Sequence, residues 1–221
     1  MKLFFNLVSA SAIVSPIFIN GNLVYDNPID SNLTFMGKDT STATINGGSI
    51  SITGADGNTR FAQGGSVRIT DGIIDVDVKA TVLFYQTTVV MDGGSIDVDG
   101  TGQVSVFGEE TNVTINDGSV DVSTTATSSS YYYSNLFGSH INTSYYNIKP
   151  FKAIINGGNL SSSHLCFYSV STNTITITLN NQGATNTGTS TVYYKYGINT
   201  YYSNQEMTST LANNKIVVPT K

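Results

Sequence analysis

Residues 45–52 read Ile45-Asn46-Gly47-Gly48-Ser49-Ile50-Ser51-Ile52, and this phrase recurs four more times along the chain. The later copies begin at Ile69, Met91, Ile115 and Ile155. The glycine at the fourth position of each copy serves as an anchor, and the anchors are Gly48, Gly72, Gly94, Gly118 and Gly158. They follow one another at steps of 24, 22, 24 and 40 residues. A repeat of this length indicates stacked supersecondary units.

Each copy alternates apolar and polar residues, which is the pattern of a β-strand. The apolar positions form four columns at fixed distances from the anchor. They are Ala43, Val67, Val89, Val113 and Ala153; Ile45, Ile69, Met91, Ile115 and Ile155; Ile50, Ile74, Ile96, Val120 and Leu160; and Ile52, Val76, Val98 and Val122, with Ser162 in the last place. The Asn-Gly or Asp-Gly pair inside each copy indicates a tight bend, because both residue types tolerate positive φ.

The same pairs also occur in two-residue hairpin turns, so a meander of short hairpins is one alternative. A parallel coil is favoured because the copies match position by position, and equivalent residues stack on each other in a solenoid. Phe61, Phe84 and Phe107 support this interpretation, since they are 23 residues apart each time. We interpret them as an internal ladder of phenylalanine side chains.

The fold class predicted from these patterns is all-β: a single-stranded parallel β-helix (β-solenoid) of about six to seven coils of 22–24 residues with terminal caps. The solenoid is expected over residues 19–183. A degenerate copy begins at Ile19, and Ile177 and Leu179 continue the columns after the last clear copy. Residues 184–221 are expected to form a C-terminal cap.

Residues 1–18 carry an early Lys2 followed by a mostly apolar run. This segment is either a secretory signal or an apolar cap over the first coil, because open solenoid ends need protection from edge pairing. Pro16 and the short length of the run argue against a membrane-spanning helix.

Only 11% of the 221 residues are charged, and the net charge is −5. This composition favours an extracellular or cell-surface location. The acidic balance argues against nucleic acid as a partner. A single cysteine, Cys166, excludes an internal disulfide framework.

The step of 40 residues contains about one coil of extra chain. This insertion lies at about residues 124–152 and is rich in aromatic residues. Insertions in solenoids emerge as loops, often on the binding side. Clustered tyrosines offer amphipathic surface for protein or sugar contacts, whereas the alternative is that they only cover the flank of the rod. The candidate ligand-binding residues are Tyr131, Tyr132, Tyr133, Phe137, Tyr145 and Tyr146.

Outward positions of the repeats carry carboxylates. Asp75, Asp77, Asp97, Asp99 and Asp121 are predicted to lie in register on adjacent strands about 4.8 Å apart. Water screens such a patch well enough for a protein to carry it without a metal. Calcium bridging is the second interpretation, because carboxylate oxygens suit this ion, and these five residues are the metal candidates.

The repeated block resembles the glycine-rich repeats of microbial surface and adhesin-like proteins with right-handed parallel β-helix folds. The resemblance covers about residues 19–183, and it implies a surface-exposed or extracellular protein. Pectate-lyase-like enzymes share the architecture, but their basic catalytic residue finds no counterpart. Arg60 and Arg68 are the only arginines.

The function predicted is therefore a non-catalytic extracellular or surface β-solenoid for adhesion, polysaccharide binding or structural assembly. Polysaccharides, surface proteins or further copies of the chain are the expected partners. No cofactor is expected, and calcium bound by the carboxylates is the alternative. The alternative is a polysaccharide lyase or glycoside hydrolase that uses Asp75, Asp97, Asp99 or Asp121. Such chemistry needs two carboxyl groups in different environments about 5–10 Å apart.

Overall fold

The computed structural model describes residues 2–5, 17–27, 33–37, 40–108, 110–126, 134–138, 152–163, 165–168, 175–180, 189–194, 201–202, 210–211 and 215–218. All regular elements in these ranges are β-strands. The first ten are β1 (Lys2–Phe5), β2 (Ile17–Ile19), β3 (Asn22–Asn27), β4 (Leu33–Gly37), β5 (Thr42–Gln63), β6 (Ser66–Tyr85), β7 (Thr88–Met91), β8 (Ser95–Gly100), β9 (Val104–Phe107) and β10 (Asn112–Ile115). The others are β11 (Ser119–Thr124), β12 (Ser134–Gly138), β13 (Lys152–Ile155), β14 (Gly158–Ser162), β15 (Leu165–Tyr168), β16 (Ile175–Asn180), β17 (Thr189–Tyr194), β18 (Tyr201–Tyr202), β19 (Thr210–Leu211) and β20 (Lys215–Val218).

Parallel pairing arranges these strands in three stacks. The first contains β2, the start of β5 and of β6, then β7, β10, β13 and β16. The second contains β1, β3, the middle of β5 and of β6, then β8, β11 and β14. The third contains β4, the ends of β5 and β6, then β9, β12 and β15. The chain visits the stacks in turn, so the fold is a β-solenoid, as predicted.

About four turns follow one another from Thr42 to Gly138, slightly fewer than the six to seven coils expected. The difference arises at the two ends. There, strands such as β1 and β16 join the stacks in parallel, but stretches of chain between the end strands lie outside the described residues. The degenerate N-terminal copy is confirmed, because Ile19 pairs with Ile45 and Leu23 pairs with Ile50.

The predicted apolar columns form the core. In β8, Ile96 and Val98 are buried whereas Asp97 and Asp99 are exposed, so the strand alternates as its sequence indicates. Equivalent residues pair directly from turn to turn: Ile74 pairs with Ile96, which pairs with Val120. This stacking of like on like explains why the copies resemble each other at each position.

The phenylalanine ladder is longer than predicted. Besides the three expected rings, Phe35 stacks on Phe61 and Phe137 stacks on Phe107, each pair with centroids 5.2 Å apart. The inner pairs, Phe61–Phe84 and Phe84–Phe107, have centroid distances of 5.8 and 5.7 Å. All five rings are fully buried. One aromatic ring per turn therefore fills the third stack along five successive strands.

Antiparallel strands lie along the last described strands at the C-terminal end. β17 pairs with β16 of the first stack, and β20 pairs with β14 of the second. At these two positions the parallel order stops, and an edge that would otherwise offer free backbone groups is paired. In the part of the chain described here, no helix is long and apolar enough to cross a membrane.

Candidate functional site

The glycine anchors position the outward side chains of the second stack from β5 to β14. All five have positive φ, from +81° at Gly48 and Gly94 to +108° at Gly118. This bend turns the chain from the first stack into the second at the same phase in each turn. The residues after each anchor therefore enter the second stack in identical register, and the third and fifth residues after the anchor point outward.

The acidic ladder, which we define as Asp75, Asp77, Asp97, Asp99 and Asp121, forms as predicted. Asp75 pairs with Asp97, and Asp97 pairs with Asp121; beside them, Asp77 pairs with Asp99. All five side chains are exposed. The ladder is therefore a two-column array of carboxylates on the outer side of β6, β8 and β11.

Serine hydroxyls end both columns toward the C-terminus. Ser123 Oγ donates a hydrogen bond to Asp99 Oδ1, and Ser161 Oγ donates one to Asp121 Oδ1. Both serines occupy the ladder positions of the following turn. A hydroxyl donor thus replaces the next carboxylate and neutralises part of the accumulated repulsion.

Asp97 lies at the centre of the array. Partial burial, followed by the charges of Asp99, Asp121 and Asp75, raises the pKa of Asp97 above its ordinary value. Both causes disfavour the ionised form. The register of the strands, which places three carboxylates around Asp97, therefore makes this group harder to ionise than an ordinary aspartate.

The metal candidates lie together but do not converge. Across the described ranges, no three His, Cys, Asp or Glu side chains are placed so that they could hold one metal ion. The register explains this geometry, since the carboxylates stand side by side on a sheet surface instead of surrounding a point. Calcium bridging therefore stays a prediction.

The tyrosine candidates Tyr131, Tyr132, Tyr133, Tyr145 and Tyr146 lie outside the described residues. Phe137 does not, and its ring is fully buried against Phe107. This placement corrects the prediction for Phe137, which is a core residue and offers no contact surface. Its strand β12 pairs with β9 and β15, so the insertion at residues 124–152 contains an ordinary strand of the third stack. The signal was present in the sequence: Leu136-Phe137-Gly138 repeats the pattern of Val106-Phe107-Gly108.

Sequence reasoning missed a second ladder at the bend. We call it the turn ladder, and its members stand two residues before each anchor: Asn46, Thr70, Asp92, Asn116 and Asn156. Thr70 Oγ1 donates to Asn46 Oδ1 (3.1 Å), Asn116 Nδ2 donates to Asp92 Oδ1 (2.7 Å), and Asn156 Nδ2 donates to Asn116 Oδ1 (2.6 Å). Arg68 Nη2 lies 2.6 Å from Asp92 Oδ2 and pairs with this carboxylate. Because the members differ in residue type, the column is visible only once the anchors are aligned.

The stacked register, the glycine bends and the two polar ladders together define a repeat protein of the parallel β-solenoid class. No protein-family model matches the chain, and comparison with curated proteins and with solved structures gives no significant match.

Proposed function

We propose that the protein is a non-catalytic β-solenoid of the extracellular space or cell surface, where its regular sides bind a polysaccharide or a surface protein or support a larger assembly. The acidic ladder carries this proposal. Its five carboxylates are all exposed and stand in register along three adjacent strands, which suits contact over an extended surface.

Two regions are proposed to make the contacts. The acidic ladder offers charge and hydroxyl groups at regular spacing, and the tyrosines of the insertion at residues 124–152 offer amphipathic rings for sugars or protein. The low share of charged residues, 11%, supports the surface location. Calcium bridging of neighbouring carboxylates is a secondary part of the proposal, because carboxylate oxygens are its preferred ligands.

Binding is tested by co-sedimentation with insoluble polysaccharides and by a glycan array, each with calcium and with a chelator. The double variant Asp97→Asn/Asp121→Asn tests the ladder, and Tyr131→Ala/Tyr132→Ala/Tyr133→Ala tests the insertion. Asp71→Ser/Asp117→Ser is the matched control, because it changes the net charge equally at exposed positions outside the ladder. Loss of binding in either test variant but not in the control supports the proposal. Binding that is lost equally in the control reflects net charge alone and contradicts a specific surface.

A polysaccharide lyase or hydrolase is the alternative, and the raised pKa of Asp97 next to Asp99 favours it. Such an enzyme would release new reducing ends or unsaturated sugars from an acidic polysaccharide, and Asp97→Asn would abolish the release. Turnover that disappears in Asp97→Asn while binding persists would replace our proposal with this one.

The assembly role is tested by light scattering and electron microscopy. Filaments or sheets support this role, and single rods contradict it.

A further inference from the structure

Five Asp-Gly pairs occur in the chain, and the structure describes the aspartate side chains of four of them: Asp71, Asp92, Asp99 and Asp117. Asp71 and Asp117 share one local geometry. The backbone nitrogen of Gly72 donates to Asp71 Oδ1 over 2.7 Å, and that of Gly118 donates to Asp117 Oδ1 over the same distance. Both side chains are exposed.

The other two aspartates are held by neighbouring turns. Asp92 Oδ1 accepts a hydrogen bond from Asn116 Nδ2 at 2.7 Å, and Asp92 Oδ2 lies 2.6 Å from Arg68 Nη2. Asp99 Oδ1 accepts a hydrogen bond from Ser123 Oγ. The same dipeptide therefore exists in two states within one protein: folded back on its own glycine nitrogen, or engaged across the stack.

We propose that Asp71 and Asp117 are sites of spontaneous isoaspartate formation, and that the stack protects Asp92 and Asp99 from it. The reaction needs the nitrogen of the following residue to attack the side-chain Cγ. Since Cγ is bonded to Oδ1, the observed contacts hold each glycine nitrogen near the distance of about 3–3.5 Å at which reacting atoms meet. Glycine adds no side chain to obstruct the attack.

Isoaspartate formation needs no co-reactant except water. The N–Cγ bond forms and a Cγ–O bond of the protonated carboxyl group breaks, so the amide proton and the hydroxyl group leave as water. One water molecule then opens the five-membered succinimide ring. Opening at the backbone carbonyl carbon moves the main chain through Cγ and leaves the former α-carboxyl group as the side chain. The product is an isoaspartyl residue.

Conversion at these two positions has a structural consequence, because each aspartate directly precedes a glycine anchor. The isoaspartyl link adds one carbon to the backbone beside Gly72 or Gly118. At Gly118 even a single added methyl group would lie 2.6 Å from the carbonyl oxygen of Gly94. The longer backbone therefore displaces the bend from its place on the preceding turn. Isoaspartate at Asp117 is expected to loosen the stack between these turns.

The experiment ages the folded protein at about pH 5, because ring closure starts from the protonated carboxyl group and mild acid favours that form. Isoaspartate is quantified with an L-isoaspartyl methyltransferase and labelled S-adenosylmethionine. It is then located by digestion with an endoproteinase that cleaves before aspartate but not before isoaspartate. The urea-unfolded chain, aged in parallel, gives the rate that the dipeptides show without the fold.

We expect Asp71 and Asp117 to convert at least as fast in the folded protein as in urea, and Asp92 and Asp99 to be slower in the folded protein by about tenfold or more. Asp71→Ser and Asp117→Ser each lower methyl acceptance of the folded protein, whereas Asp92→Ser, the matched control at an Asp-Gly pair, leaves it unchanged. Equal suppression of all four sites in the folded protein would overturn the proposal, because rigidity alone would then control the reaction. Conversion of Asp92 at the rate of Asp117 would overturn it as well.

Discussion

A methyl group added at the Cβ position of Gly118 would lie 2.6 Å from the carbonyl oxygen of Gly94 in the preceding turn. Gly118 also has a φ of +108°, which side chains rarely allow. Two independent requirements thus select glycine at the anchor, and both follow from the close approach of successive bends. The same approach recurs at Gly94, whose added Cβ would lie 2.6 Å from the carbonyl oxygen of Gly72.

Gly118→Ala is therefore expected to lower the free energy of unfolding by about 3 kcal/mol, the sum of a backbone penalty and a steric clash. Gly47→Ala is the matched control. Its φ is +149°, but no atom lies within 4 Å of the added methyl group, so it should cost about 1–2 kcal/mol. Denaturant unfolding monitored by circular dichroism measures both. An equal loss in the two variants would show that contact between the bends contributes nothing.

The phenylalanine ladder predicts a large cost for a cavity. Phe107 is fully buried, with ring centroids 5.7 Å from Phe84 and 5.2 Å from Phe137. Phe107→Ala should lower the free energy of unfolding by about 3–5 kcal/mol, whereas Phe107→Leu should cost less because it fills part of the space. Phe18→Ala is the control at an exposed ring, 69% accessible, and should change stability by about 0.5 kcal/mol or less. A small effect at Phe107 would mean that the rings do not support the stack.

The columns near the anchor could be predicted because each turn repeats the same residue types at the same phase, as Ile74, Ile96 and Val120 do. Phe35 and Phe137 were missed because their steps to the next ring are 26 and 30 residues, and a fixed period cannot follow connections of variable length. The pairing of β20 with β14 was also beyond the pattern, since an antiparallel contact over such a separation leaves no periodic signal. The same holds for the turn ladder, where hydrogen-bonding capacity is shared although residue type is not.

Asn116 links two steps of the turn ladder, because its Nδ2 donates to Asp92 and its Oδ1 accepts from Asn156. Asn116→Ala removes both hydrogen bonds and should lower the free energy of unfolding by about 1–2 kcal/mol. Asn112→Ala, at an exposed position on the adjacent β10, is the control and should be within about 0.5 kcal/mol of the unchanged protein. Thermal unfolding at fixed pH measures the difference. If the two variants prove equally stable, the ladder contacts are replaced by water at no cost.

The acidic ladder predicts how stability depends on pH. Because burial and the charges of Asp99, Asp121 and Asp75 raise the pKa of Asp97 in the folded protein, the folded state binds a proton more readily than the unfolded state. The contribution of Asp97 to stability is therefore fully present below its ordinary pKa of 3.8. This contribution is lost as the pH rises through the higher pKa that Asp97 has in the folded state. Asp97→Asn removes this loss of stability, so it should raise the melting temperature at neutral pH. It should also make the melting temperature depend less on pH above 3.8. The gain should be at most about 1 kcal/mol, because the group is exposed and water screens it, and salt should reduce it further. A lower melting temperature for Asp97→Asn at neutral pH would show that the charge of Asp97 stabilises the fold instead of opposing it.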